Sequence, residues 1–149
     1  MTQGLTAERE LGPTETHLAF GPMHQLRPDL VSVDEFVDRV NRLQRPEGYR
    51  LVASFAGDDV RPVAVSAVGF RRLHMLAWGD VLYIDDLVTL EEHRGRGHAS
   101  RLLNWVLKEA RRLGCAQVHL DSAPHRHPAH RLYLGEGYHI SAFHFSRSV

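Results

Sequence analysis

One stretch constrains this chain more than any other: "HRGRGHASRLLNWVLKEARRLG", His93 to Gly114. Two glycines, Gly95 and Gly97, stand among arginines and lead straight into a helical pattern. Ala99, Leu102, Leu103, Val106, Ala110 and Leu113 form one apolar stripe at the helical period. Lys108, Arg111 and Arg112 crowd the last turns, where the helix dipole favours cations, and Gly114 ends the helix. Upstream, "VLYIDDLVTL" (Val81–Leu90) is apolar enough for a buried strand, apart from Asp85 and Asp86. A strand that turns through glycines into a helix is a general way to hold an anion. The glycines let the backbone come close, and the first free N–H groups of the helix point at the ligand. Arg94, Arg96 and Arg101 add positive charge there.

That charge is local. Eighteen Lys and Arg balance eighteen Asp and Glu, so no chain-wide field draws the protein to nucleic acid or to a membrane surface. A length of 149 residues suits one domain with a real core. The single cysteine, Cys115, excludes an internal disulfide framework and suits a reducing cytoplasm. The opening "MTQGLTAERELGPTETH" is polar and lacks the apolar region of a secretory signal, and no apolar run approaches the ~20 residues of a spanning helix. The expectation is a soluble, cytoplasmic protein with a flexible tail over residues 1–15 and one functional domain over residues 16–149.

The rest of the chain supplies an ordered set of elements. Thr16–Leu30 reads as a short, interrupted helix. In "SVDEFVDRVNRLQRPEG", Ser32 and Glu35 make a capping box, and Val33, Phe36, Val37, Val40 and Leu43 make one stripe that Pro46 and Gly48 end. "YRLVASFAGDDVRPVAVSAVGF" reads as a hairpin turning near Gly57–Asp59, and "FRRLHMLAWGDV" either continues its second strand or leaves it as a loop. After the glycine loop and its helix, "CAQVHLDS" is a strand and "HPAHRLYLGEGY" a short helix with Pro128 in its first turn. "YHISAFHFS" alternates like a last strand. The order α-α-β-β-β-α-β-α-β gives a sheet with helices on both faces.

Two nucleotide readings of the loop fail. A Walker loop needs Lys and Ser or Thr after its last glycine, and here His98 and Ala99 follow Gly97. A dinucleotide loop needs a third glycine, and its place holds Ser100.

"YIDDLVTLEEHRGRGHASRLLNWVLKEARRLGC" instead resembles the acetyl-CoA signature of the GNAT superfamily of N-acetyltransferases, whose Arg/Gln-x-x-Gly-x-Gly/Ala pattern is met by Arg94, Gly97 and Ala99. Downstream, "AHRLYLGEGY" is similar to the family's second motif. The two segments run from Leu82 to Phe145, and the helix–helix–hairpin order upstream fits as well. The resemblance implies an α/β fold of mixed α+β character. It is a single domain with a mostly antiparallel mixed sheet, splayed strands and helices on both faces.

It also implies acetyl-CoA as co-substrate. The pantetheine arm would pair with backbone groups of Leu87, Val88 and Thr89, and the pyrophosphate would sit on the N–H groups of Gly95, Arg96, Gly97, His98 and Ala99, beside Arg94. Tyr133 would protonate the leaving thiolate, and the Val88 N–H would face the carbonyl oxygen as it gains charge. The family often has Asn where this chain has Arg126, so Ser122 or Arg126 is left to make that contact. An acidic residue on this strand serves many members as base, directly or through water. Strand alternation sends Asp85 and Asp86 to opposite faces, and both stay open for the role, as does His125 as a proton shuttle.

Six of the eleven histidines lie from His119 onward, and "HRHPAH" places His125, His127 and His130 close together. Pro128 breaks the spacing and no cysteine pair accompanies them, so no metal is expected. The acceptor expected is a primary amine on a small molecule, to which the acidic pair would be attractive. A protein lysine or N-terminal acetyltransferase and a non-catalytic acetyl-CoA sensor are the alternatives. Many family members pair through their C-terminal strands, and "YHISAFHF" is apolar enough to build a homodimer.

Overall fold

The computed structural model describes residues 8–57 and 60–149. Its strands are β1 (Glu8–Leu11), β2 (Arg50–Ala56), β3 (Val63–Met75), β4 (Gly79–Thr89) and β5 (Gln117–Leu120), which form one sheet in the order β1-β2-β3-β4-β5. The first four pair antiparallel. The chain then leaves β4, crosses through a helix, α3 (His98–Leu113), and returns as β5. That is the connection a parallel neighbour requires, so the sheet is mixed.

Three further helices complete the fold: α1 (Phe20–Leu26), α2 (Val33–Asp38) and α4 (His127–Gly135). A 3-10 turn, Thr16–Ala19, runs into α1. The Ser32 hydroxyl accepts the Glu35 N–H at 3.1 Å and starts α2. Glu35 reaches back to the N–H of Val31 at 2.9 Å, one residue earlier than in a reciprocal box. Beyond α2 the helix widens over Arg39–Gln44, tightens over Arg45–Glu47 and stops at Gly48, whose φ of 89° suits glycine.

Strand alternation divides the core. Leu51, Ala53, Phe55, Ala67 and Val88 pack with Met23, Leu30, Phe36 and Val40 of the α1–α2 side. The neighbouring positions, Val52, Val68 and Phe70, are buried on the other face, as are Leu102, Leu103 and Val106 of α3. Phe70 meets Trp105 at 5.9 Å between ring centroids. Arg50 ties the layers together: it donates to Glu10 on β1 at 2.7 and 2.8 Å and to Glu109 on α3 at 2.8 Å. Arg112 closes on the same Glu109 carboxylate at 2.6 and 2.8 Å.

Two readings change here, an open one is resolved, and a fourth falls partly outside the described residues. Glu8–Leu11, inside the expected tail, pairs with Leu51–Ser54 as an edge strand, while residues 1–7 lie outside the described residues. The alternative left open for "FRRLHMLAWGDV" resolves as strand, because β3 runs on to Met75 before turning back. The expected hairpin turn begins at Gly57, and its two aspartates lie outside the described residues. The last strand does not form: residues 138–149 carry no regular structure. Alternation selects which face a strand would bury, but a strand exists only where a neighbour completes its ladder.

The chain divides into two compact units, Met1–His119 and Leu120–Val149. The second holds α4, which has Pro128 in its first turn and ends where Glu136 N–H returns to Leu132 at 2.9 Å. Among the described residues no helix is long and apolar enough to cross a membrane, and no group of three or more His, Cys, Asp or Glu side chains is placed to hold a metal ion.

Candidate active site

The glycine loop has the geometry its sequence implied. Gly95 and Gly97 have φ of 75° and 79°, values that L side chains rarely adopt, and Gly97 caps α3 with no side chain in the way. The opening N–H groups of a sixteen-residue helix therefore face out of the loop, joined by the exposed Arg94 and Arg96. Arg101 braces the turn by donating to the Arg96 carbonyl at 3.1 Å and to Glu8 at 2.9 Å.

His98 differs from its neighbours. Its side chain is buried, and its Nδ1 lies 2.8 Å from the Ser54 hydroxyl and 3.0 Å from the Arg101 guanidinium. Burial, with Arg101 and His93 beside it, lowers its pKa, so the ring stays neutral and its Nδ1 accepts from the Arg101 guanidinium. It anchors the start of α3 to β2, which leaves the backbone N–H as its means of meeting an anion. Ala99 follows, half-buried, in the first turn.

The end of β4 is held from two sides. The Ser66 hydroxyl donates to the Val88 carbonyl at 2.7 Å and lies 2.9 Å from the Thr89 hydroxyl. Gln25 of α1 donates to the Thr89 carbonyl and accepts from Glu91 N–H, both at 3.0 Å. Beside Leu87–Thr89 the sheet runs short on its other edge. β5 joins opposite Asp80, through Ala116 N–H at 2.9 Å, and has four residues against eleven in β4.

Asp85 and Asp86 depart from simple alternation. In the β3–β4 register Gly69 faces Asp86 and Phe70 faces Ile84, so Asp85 is the extra residue of a bulge. The bulge returns both carboxylates to one side, where they line a cleft of about 480 Å³ with Tyr49, Tyr83 and Gln44. The expectation of opposite faces is therefore corrected. The α1–α2 side adds Met23, Arg27, Asp29 and Arg39. Neither β4 carboxylate is bare. Arg71 donates to both Asp85 oxygens at 2.5 to 3.1 Å, and this pairing holds its guanidinium above the ordinary arginine range. Arg27 donates to Asp86 at 2.7 and 3.0 Å, and the Tyr49 hydroxyl donates to its other oxygen at 2.9 Å. Burial and the adjacent Asp86 push the Tyr49 pKa well up, so its proton stays in place.

Tyr133, Ser122, Arg126 and His125 belong to the second unit. Tyr133 is on α4, half-buried, with its ring 6.1 Å from that of Tyr138. Burial raises its pKa, and among the described residues no side chain bonds its hydroxyl. Ser122, His125 and Arg126 lie on the connection before α4, where His130 fixes the backbone through the Ala123 carbonyl at 2.9 Å.

The profile of the acetyltransferase (GNAT) family matches residues 20–138, which takes in the cleft, the glycine loop and α4. The chain belongs to the GNAT family of acetyltransferases. An uncharacterised N-acetyltransferase of Bacillus subtilis is 30% identical over 128 residues, covering 85% of this chain and 87% of that protein. An aminoalkylphosphonate N-acetyltransferase of Salmonella typhimurium is 39% identical over 77 residues, about half of either chain (52% and 49%). An aminoglycoside N-acetyltransferase solved with CoA superposes with a TM-score of 0.82 at 18% identity, over 99% of this chain and 98% of that one. This GNAT protein is an N-acetyltransferase that uses acetyl-CoA as co-substrate, on the mixed sheet expected of the family.

Sequence reasoning missed Tyr49, Arg27, Arg71 and Gly69. One signal was present: a glycine inside a strand pattern, "AVGF", marks a bulge or a close approach, and Gly69 marks both.

Proposed function

We propose that this GNAT enzyme moves an acetyl group from acetyl-CoA to a primary amine on a small molecule, by direct attack in a ternary complex. One observation carries the small-molecule reading: the cleft of about 480 Å³ in which Asp85 and Asp86 sit, a volume that fits a small acceptor. The names of two relatives, an aminoalkylphosphonate and an aminoglycoside N-acetyltransferase, lend support.

In this reading the glycine loop, Gly95 to Ala99 with Arg94, takes the pyrophosphate of acetyl-CoA. Leu87–Thr89 pair with its pantetheine amides, and Ser122 and Arg126 make further contacts. The acceptor must lose a proton to attack. Asp85 and Asp86 are already bonded to guanidinium groups, so the proton passes through a water to one of these carboxylates rather than directly. The amine nitrogen bonds the thioester carbonyl carbon while the Val88 N–H faces the oxygen. The carbon–sulfur bond then breaks, and Tyr133, whose raised pKa keeps it protonated, gives its proton to the thiolate. The exposed Ile140, Phe143 and Phe145 support a homodimer through this segment.

The test is release of CoA thiol from acetyl-CoA across a panel of amino acids, aminoalkyl acids, polyamines, aminoglycosides and lysine peptides. Release with a small amine is expected. Release with lysine peptides alone would replace this reading with a protein acetyltransferase. Silence throughout, in a protein that acetyl-CoA still protects against heat, would replace it with a sensor.

A further inference from the structure

The charges lining the cleft narrow the acceptor further, on the proposed reading that this cleft takes the amine. Taken alone, Asp85 and Asp86 make an anionic well that would suit any polycation. The structure cancels it. Arg71 holds both oxygens of Asp85, and Arg27 with Tyr49 holds both oxygens of Asp86. A polyamine or an aminoglycoside entering here meets carboxylates that already have partners, and guanidinium groups that repel it.

Two charged groups of the lining, one of each sign, make no side-chain hydrogen bond among the described residues. Asp29 is exposed, and among the described residues nothing pairs with it. Arg39 is exposed and pairs with Glu35 as an ion pair at 3.7 Å, beyond a hydrogen bond, so its N–H donors stay open. Glu35 is itself occupied in part by the Val31 N–H at 2.9 Å. A guanidinium with open donors, set in a cleft, matches a carboxylate, phosphonate or phosphate oxygen pair better than it matches any other common group.

We infer that the acceptor is a small zwitterion carrying one amine and one acidic group, the acidic group being read by Arg39. Such a molecule answers both of these charges and disturbs neither pair on β4. It enters neutral as a whole, into a lining of two arginines (Arg27, Arg39) and three aspartates (Asp29, Asp85, Asp86), one of which, Asp85, is neutralised by Arg71 from outside the lining.

The experiment compares kcat/KM for an amino acid, an aminoalkylphosphonate, an alkylamine and a diamine of matched length, in the wild type, Arg39→Gln and Arg39→Lys. The zwitterions are expected to exceed the alkylamine by about tenfold or more, the worth of one charge-assisted contact. Arg39→Gln should raise the zwitterion KM with little change in kcat and narrow that preference, and Arg39→Lys should restore part of it. Calorimetric binding of the aminoalkylphosphonate to the enzyme saturated with CoA gives a readout free of turnover, and Arg39→Gln should weaken it to the same degree. Turnover of the diamine or alkylamine as fast as the zwitterions would overturn the inference and leave the acetyltransferase standing. So would an Arg39→Gln variant that loses all acceptors equally. No thiol release with any amine, and no zwitterion binding, would remove both.

Discussion

The Tyr49 hydroxyl reaches Asp86, at 2.9 Å, only because residue 69 has no side chain. A Cβ built on Gly69 would lie 1.8 Å from the hydroxyl oxygen and 2.2 Å from the ring carbon that bears it. Gly69→Ala must therefore displace a buried ring, at a cost of about 1–3 kcal/mol. Tyr49→Phe removes one hydrogen bond from a carboxylate that keeps Arg27, for about 1 kcal/mol. Because the ring carbon clashes too, the double variant is expected to be no more stable than Gly69→Ala alone. Urea unfolding of the three variants checks the order, and full rescue by Tyr49→Phe would show that the hydroxyl alone makes the contact.

Gly97 needs its positive φ, and its Cβ would sit 3.1 Å from the Arg101 guanidinium that braces the loop. Gly97→Val should weaken acetyl-CoA binding by about tenfold or more, through backbone strain of about 1–2 kcal/mol and the blocked approach of the anion. Calorimetry with CoA measures it. Affinity equal to wild type would detach this loop from the co-substrate.

Tyr133→Phe should lower kcat by about a hundredfold, the lower end of what a positioned acid supplies, while KM for acetyl-CoA changes little. If Tyr133 merely packs α4, turnover will be retained.

Glu109 gives a pH signature away from the site. Arg112 and Arg50 hold its carboxyl at about 2, below the ordinary 4.5. The folded value is the lower one, so the stabilisation is fully present above about 4.5 and is lost as pH falls toward 2. It amounts to about 2–3 kcal/mol for this nearly buried group. Glu109→Gln should be less stable at neutral pH and show a flatter acid limb between those values, read by thermal unfolding at several pH values. A limb as steep as wild type would place the acid sensitivity elsewhere.

Much of this was written in short-range pattern. The glycine loop, α3 with its stripe, the capping at Ser32 and the strand over Asp85 all follow from spacing, because each depends on residues within a turn or two. What stayed illegible depends on partners far along the chain. Glu8–Leu11 is a strand because Leu51–Ser54 lies beside it, and "YHISAFHFS" is not one for want of any such neighbour. Arg27, Tyr49 and Arg71 come from three separate elements, and no local pattern announced that they converge on the two aspartates. The bulge is subtler, since it sets the faces of Asp85 and Asp86 by counting against the opposite strand.

That counting turns the length of β4 into a functional quantity. Side chains between Val81 and Thr89 can be exchanged one at a time, and each change stays local. Removing Asp85 would close the bulge and leave Ile84 opposite Phe70 and Asp86 opposite Gly69, whereas removing Leu87 would be taken up at the same bulge and bring Asp86 opposite Val68, into the layer that α3 covers. The side of the sheet that the cleft reads on this strand therefore depends on which residue is lost as well as on which is exchanged.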